Sequence, residues 1–202
     1  MMDYDFNFPY DEQVDYSTYY YFNKGLTADD ITRVHNLAHT IDFEKATTAS
    51  NDLEDSGLDT VRKSKVKWLP KNETSQWLYE KIGQMAIEAN EALYKFDLTT
   101  MRENLQYTVY PADAGHYDWH MDNAGGGIMT QRKLSCTIEL SEHGQDYEGG
   151  KLQANVGNGI IDMPQGAGTV VFFPYFMLHR VTPVTEGERK SLVLWIGGDH
   201  YK

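Results

Sequence analysis

The chain has little cysteine, little positive charge and no long apolar run, and each shortage narrows what it can be. Its one cysteine, Cys136, among 202 residues cannot close an internal disulfide. The alternating apolar neighbours of Cys136 mark it as a buried structural thiol rather than a nucleophile. Lys and Arg total 18 against 30 Asp and Glu, a net charge of −12, whereas nucleic-acid binding depends on cations that neutralise phosphates. No nucleic-acid partner is expected, and a neutral or basic peptide suits such a field better. No apolar run approaches a membrane span, and residues 1–21 are acidic and aromatic rather than basic and then apolar. A soluble cytoplasmic protein with no membrane partner is the expectation.

What is present suffices for a core. A hydrophobic fraction of 41%, with 4 Trp, 14 Tyr and 8 Phe, fits a single domain over residues 1–202. Residues 1–18 carry no helical period and read as an extended or mobile segment, and residues 19–100 as helical support and the first strands. Thr27 and Asp30 form a capping-box pattern before Ile31, Val34, Leu37 and Ala38, which predicts a helix over 28–40. A stripe of Trp77, Ile82, Met85, Ala86, Ala89 and Leu93 predicts a second helix over 73–94. His35 and His39 share a face at i, i+4, but Asn36 stands where the zinc metalloprotease pattern has Glu, so solvated helix histidines are expected. Between the helices, residues 47–60 are polar and without period and read as a loop. Alternation through Val61, Lys63, Lys65, Lys67 and Trp68 reads as the strand that follows.

Residues 101–200 show short apolar runs broken near Gly115, Gly125, Gly149, Gly157, Gly166 and Gly187. Eight or so such strands read as a jelly roll, with the helices on the outer face of one sheet and a funnel between the sheets. Gly166-Ala167-Gly168 reads as a turn, because the strand pattern of Thr169 to Phe173 follows where a nucleotide loop would need a helix.

The chemistry-bearing residues sit in this second half. His120-Met121-Asp122 has the period-2 spacing that puts both side chains on one strand face, and His179 closes the apolar run Phe173 to Leu178. Two imidazoles and one carboxylate are the set that leaves half an octahedron open on ferrous iron. A second pair, His116-Tyr117-Asp118, has the same strand parity. The segment Asn123 to Gly127 closes the strand just after Asp122, and a metal needs ligands at an open mouth, which favours His120 and Asp122 and leaves His116 and Asp118 at the rim.

Tyr110-Pro111, Gly115, Tyr117, His120-Met121-Asp122-Asn123, Arg132-Lys133-Leu134-Ser135, Tyr147 to Leu152, Leu178 to Val184, and Gly187-Glu188-Arg189 through Trp195 resemble the 2-oxoglutarate and iron(II) dependent dioxygenases. Within that family they resemble most the prolyl hydroxylase and PKHD-type branch, over roughly residues 105–198. The resemblance implies an α+β, β-rich double-stranded β-helix, a cupin-like jelly roll with N-terminal helices supporting one sheet. It also implies Fe(II), 2-oxoglutarate as cosubstrate, dioxygen, and ascorbate as a candidate reductant. The implied reaction hydroxylates a C–H bond, in this branch that of a prolyl residue in a peptide or protein, and releases succinate and carbon dioxide.

His120, Asp122 and His179 are then the metal ligands, and no further catalytic side chain is required. Arg189 supplies the planar cation for the far carboxylate of 2-oxoglutarate, with Tyr110, Ser191 and Thr137 beside it. Tyr117, Arg132 and Trp195 fall on the substrate side, and the loop 47–60 corresponds to one that folds over the peptide as a lid. Retention of Asp122 argues against halogenation. One position departs from the pattern: Glu139 stands where the oxygen-sensing prolyl hydroxylases carry a cosubstrate-binding Tyr. Two alternatives stay open, an oxygenase of this class acting on a lysyl residue, free amino acid or nucleobase, and a non-enzymatic cupin-like metal-binding module.

Overall fold

A computed structural model describes residues 18–45, 60–123 and 126–199. The segment 1–17 and nearly all of the stretch 47–60, the extended terminus and the lid of the sequence reading, lie outside the described residues.

Helix α1 (Ala28–His39) begins where its capping box directs: the Asp30 amide donates to Thr27 Oγ1 at 3.2 Å, and the Thr27 amide donates to Asp30 Oδ2 at 3.0 Å. Asp30 also accepts from Lys81 Nζ at 2.6 Å, tying α1 to α2 (Gln76–Ala89). The second helix starts later than its apolar stripe predicts. Asn72 Oδ1 accepts from the amides of Thr74 and Ser75, a local turn that keeps residues 72–75 out of the helix. At the other end the helical path does reach residue 94, but as a wider π-helical turn over Asn90–Tyr94, stopped by Lys95 at φ 56°.

The strands form two sheets. The larger has nine strands. Its main path runs β1 (Tyr20–Phe22), β12 (Val170–Pro174), β8 (Arg132–Glu139), β14 (Val184–Gly198), β6 (Leu105–Pro111), β4 (Lys65–Leu69) and β2 (Glu44–Lys45). Strands β5 (Leu98–Thr100) and β9 (Tyr147–Gly149) also pair with β14. The smaller sheet runs β11 (Ile160–Asp162), β10 (Leu152–Asn155), β13 (His179–Val181), β7 (His116–His120) and β3 (Arg62–Lys63). This is the jelly roll with a funnel between its sheets. The single strand read over residues 61–68 is in fact two: β3 pairs with β7 in one sheet and β4 with β6 in the other, the chain crossing at Ser64.

Alternation sorts the buried side chains into two cores. Leu134, Cys136 and Ile138 of β8 and Leu192, Leu194 and Ile196 of β14 face α1 and α2, with Val34, Leu78 and Ile82 packed against them. Burial of Cys136 in this layer pushes its thiol up, as its sequence context implied. The opposite faces of the same strands look inward, where Tyr110, Phe173, Leu152 and Val181 form the layer between the sheets. The Gly166-Ala167-Gly168 turn feeds β12. Gly168 sits at φ 87°, and a Cβ there would lie 2.2 Å from the Leu26 carbonyl. His35 corrects the solvated reading: it is half-buried and its Nδ1 lies 3.0 Å from Tyr107 Oη on β6, whereas His39 is exposed.

Candidate metal and cosubstrate site

His120 ends β7 and pairs in register with His179, which opens β13. Asp122 lies two residues beyond β7, its amide donating to the Tyr175 carbonyl at 3.0 Å. The ligand atoms of the three side chains all fall within 4.8 Å of one another, the one such cluster among the described residues. Asp122 Oδ1 is 3.9 Å from His120 Nε2, and Oδ2 is 3.8 Å from His179 Nε2.

The surroundings fix these groups in a ligand-ready state. His120 Nδ1 is 2.7 Å from the Asp118 carbonyl and His179 Nδ1 2.8 Å from the Met177 carbonyl, so each Nδ1 carries the proton and each Nε2 presents a lone pair. Ser135 Oγ donates to Asp122 Oδ2 at 2.6 Å, and Arg132 Nη1 donates to the Asp122 carbonyl at 2.8 Å. Burial, then the neighbouring His179, push His120 down to about 3, so its ring is neutral at physiological pH. Burial alone would raise Asp122, but the imidazoles of His179 and His120, the Ser135 hydroxyl and Arg132 outweigh it and hold the carboxyl below its usual range. Tyr117 stacks on the His120 ring, centroids 3.5 Å apart, and Phe173 meets His179 edge-on at 4.8 Å.

The cluster opens onto a cavity of about 380 Å³ between the sheets, lined by all ten residues singled out in the sequence. Arg189, Ser191, Val193 and Trp195 line one wall from β14, Thr137 another from β8, and Tyr110 and Gln106 a third from β6. Arg189 is 1% exposed, with Tyr110 stacked 5.2 Å from its guanidinium carbon. Its Nε donates to Glu139 Oε2 at 3.0 Å and its Nη2 to Oε1, a bidentate pair inside the barrel. The pair raises the guanidinium further above its ordinary value against the opposing effect of burial. Arg132, another lining residue, lies 3.6 Å over the Trp195 ring and forms an ion pair with Glu103.

Two buried polar atoms facing this cavity have no partner, Ser191 Oγ and Trp195 Nε1. Orphan donors in a cavity that also holds a buried guanidinium fit a polar, anionic small molecule. The three-ligand cluster fits an Fe(II) ion with open positions. The rival pair does not converge: His116 Nδ1 and Nε2 lie beside the carbonyls of Ala114 and Thr60, and Asp118 is exposed. Sequence reasoning missed Ser135 as the partner of Asp122, although its parity with Thr137 was visible. It also missed Arg62, which lines the cavity over the Tyr117 ring at 4.6 Å and donates to Gln106 Oε1 at 2.9 Å.

A jelly roll with two imidazoles, one carboxylate and a buried guanidinium around one cavity is the architecture of a non-haem iron oxygenase domain. Residues 105–197 match the family model of the 2OG-Fe(II) oxygenase superfamily, and the chain is similar to PKHD-type hydroxylases. A PKHD-type hydroxylase of Acidovorax ebreus is 37% identical over 103 residues, 46% of this chain and 45% of the relative. Another, of Nitrosomonas europaea, is 26% identical over 176 residues, 85% of this chain and 77% of the relative. The chain thus spans less than half of the first of these relatives. The fold is that of a Pseudomonas putida prolyl-4-hydroxylase, TM-score 0.68 at 20% identity over 91% of this chain and 94% of that one. It is equally that of a Trichoplax adhaerens prolyl hydroxylase solved with a hypoxia inducible factor peptide fragment, TM-score 0.73 at 19% identity over 92% and 86%. Among the described residues no helix is long and apolar enough to cross a membrane.

Proposed function

We propose that this chain is a 2-oxoglutarate- and Fe(II)-dependent dioxygenase that hydroxylates a prolyl residue in a peptide or protein and releases succinate and carbon dioxide. The observation that carries the reading is the convergence of His120, Asp122 and His179 at one end of a cavity that holds Arg189 and the unpartnered Ser191 hydroxyl. His120 Nε2, His179 Nε2 and an Asp122 oxygen would hold the iron, which supplies Lewis acidity and the site of oxygen activation when bound. Ser135 orients the carboxylate, and the carbonyls of Asp118 and Met177 hold the imidazole protons away from the metal side. Arg189, Ser191, Thr137 and Tyr110 would receive the cosubstrate's far carboxylate.

Tyr117, Arg132 and Trp195, which also line the cavity, offer aromatic surface suited to a rigid apolar pyrrolidine ring. The Trichoplax adhaerens prolyl hydroxylase, a similar fold solved with a peptide fragment, supports a peptidyl substrate. We place the enzyme in the cytoplasm, where a reduced, buried Cys136 is at home, with ascorbate as candidate reductant.

The test is incubation of iron-loaded protein with 2-oxoglutarate and a library of proline-containing peptides, read by mass spectrometry and succinate assay. The expected result is a +16 Da product on proline coupled to succinate. Hydroxylation of lysine or a free amino acid would overturn the prolyl assignment alone, and iron uptake without succinate would overturn the enzyme in favour of a binding module.

A further inference from the structure

The cavity's one fully buried cation already has a carboxylate partner. Glu139 and Arg189 have side chains 2% and 1% exposed, and the glutamate takes the Nε and Nη2 edge of the guanidinium in two hydrogen bonds. Arg189 lines the cavity and Glu139 is not among the residues that line it. Glu139 is also in register with Ser191 across β8 and β14, so its carboxylate lies at the level of the unpartnered Ser191 hydroxyl. A molecule reaching Arg189 from the cavity therefore meets a guanidinium whose charge is compensated from behind.

We propose that Glu139 sets the cosubstrate selectivity of the site: by compensating Arg189 it weakens capture of a distal carboxylate, so a 2-oxo dicarboxylate is little favoured over a 2-oxo monocarboxylate. This rests on the oxygenase reading above. In a buried site two carboxylates on one guanidinium repel each other with little screening, and the neutral pair attracts a third charge far less than a lone cation would. Beside Arg189 itself the groups left to recognise the far end include the orphan Ser191 hydroxyl, the Thr137 hydroxyl and the Tyr110 ring, neutral groups that hold a carboxylate less strongly than an uncompensated guanidinium would.

Isothermal titration of the Fe(II)-loaded protein without oxygen tests this, with 2-oxoglutarate and 2-oxobutyrate as probes. They share the chelating keto acid and differ in the far carboxylate. The wild type is expected to bind 2-oxoglutarate no more than about tenfold tighter than 2-oxobutyrate, whereas a lone buried Arg would give a hundredfold or more. Glu139→Gln keeps an acceptor for Arg189 and removes the charge. It should tighten 2-oxoglutarate about tenfold or more and leave 2-oxobutyrate within about threefold. A wild-type preference above about tenfold, or a Glu139→Gln variant whose gain for 2-oxoglutarate falls short of about tenfold, overturns the proposal. Should that variant not fold, the wild-type ratio decides alone. Binding of neither keto acid by the wild type would instead remove the oxygenase reading, and the proposal with it.

Discussion

His179 lies directly across the β7–β13 ladder from His120, and each ring donates its Nδ1 proton to the carbonyl two residues before it. One strand pairing thus sets the separation of both imidazoles and the tautomer of each. His116, four residues earlier, lies beyond the bulge between the His120 and Tyr117 pairings and outside the cavity lining, with backbone carbonyls beside both nitrogens. Replacing His120 by Ala should weaken Fe(II) binding more than about a hundredfold, beyond what loss of an outer partner costs. His116→Ala should leave it within about threefold, as befits a residue outside the ligand set. Equilibrium metal competition checks both, and a large loss in His116→Ala would favour the earlier register.

Ser135 acts on the third proposed ligand. Its 2.6 Å hydrogen bond is to Asp122 Oδ2, whereas Arg132 holds only the Asp122 backbone carbonyl. Ser135→Ala should lower metal affinity about 10- to 100-fold with little change in fold, the usual cost of losing such a partner. Metal competition and circular dichroism on one sample separate the two effects.

Burial and His179 push His120 down to about 3, whereas an unfolded histidine titrates near 6.5. Between those values the unfolded chain takes up a proton that the folded metal-free chain refuses, so acid favours unfolding. Stability from this group is fully present above about pH 6.5 and declines as pH falls toward 3, and the lowered Asp122 adds a further loss below its ordinary 3.8. Urea midpoints of the metal-free protein should fall between about pH 7 and pH 5. A midpoint that rises over that interval contradicts the assignment, as would the same decline in His120→Ala.

Asp30 serves both helices, as half of the α1 capping box and as partner of Lys81 on α2. Asp30→Ala should cost about 1–2 kcal/mol of stability by thermal or urea denaturation. Lys81 and the Thr27 amide and hydroxyl hold this carboxyl below its usual range against burial, so the difference between variant and wild type should shrink as pH falls below 3.8. A difference constant with pH would show that the carboxylate charge is not what the helices use.

The pair His120 and Asp122 was legible as a candidate because period-2 spacing and an open strand end are local properties, whereas His179 joined them only through the resemblance and is brought beside them by the β7–β13 pairing. Parity marked Thr137 as inward-facing on β8, and Ser191 followed from its nearness in sequence to Arg189, but that β8 and β14 lie side by side is seen only in the structure. The crossing at Ser64 was not legible, since alternation reads the same whichever sheet receives the strand. The π-helical turn at Asn90–Tyr94 keeps the apolar stripe of an α-helix and so left no separate signature. The Glu139–Arg189 pair depends on strand register between residues 50 apart, and only coordinates supply it. His35 looked solvated because its partner Tyr107 comes from a sheet strand 72 residues on.

The most direct test of the central claim is iron stoichiometry and 2-oxoglutarate-dependent succinate formation, measured side by side for the wild type and Asp122→Ala. One Fe(II) per chain with succinate release in the wild type, and neither in the variant, is the predicted result. Equal iron uptake and equal succinate in the variant would contradict it, because the carboxylate between His120 and His179 would then not be holding the metal.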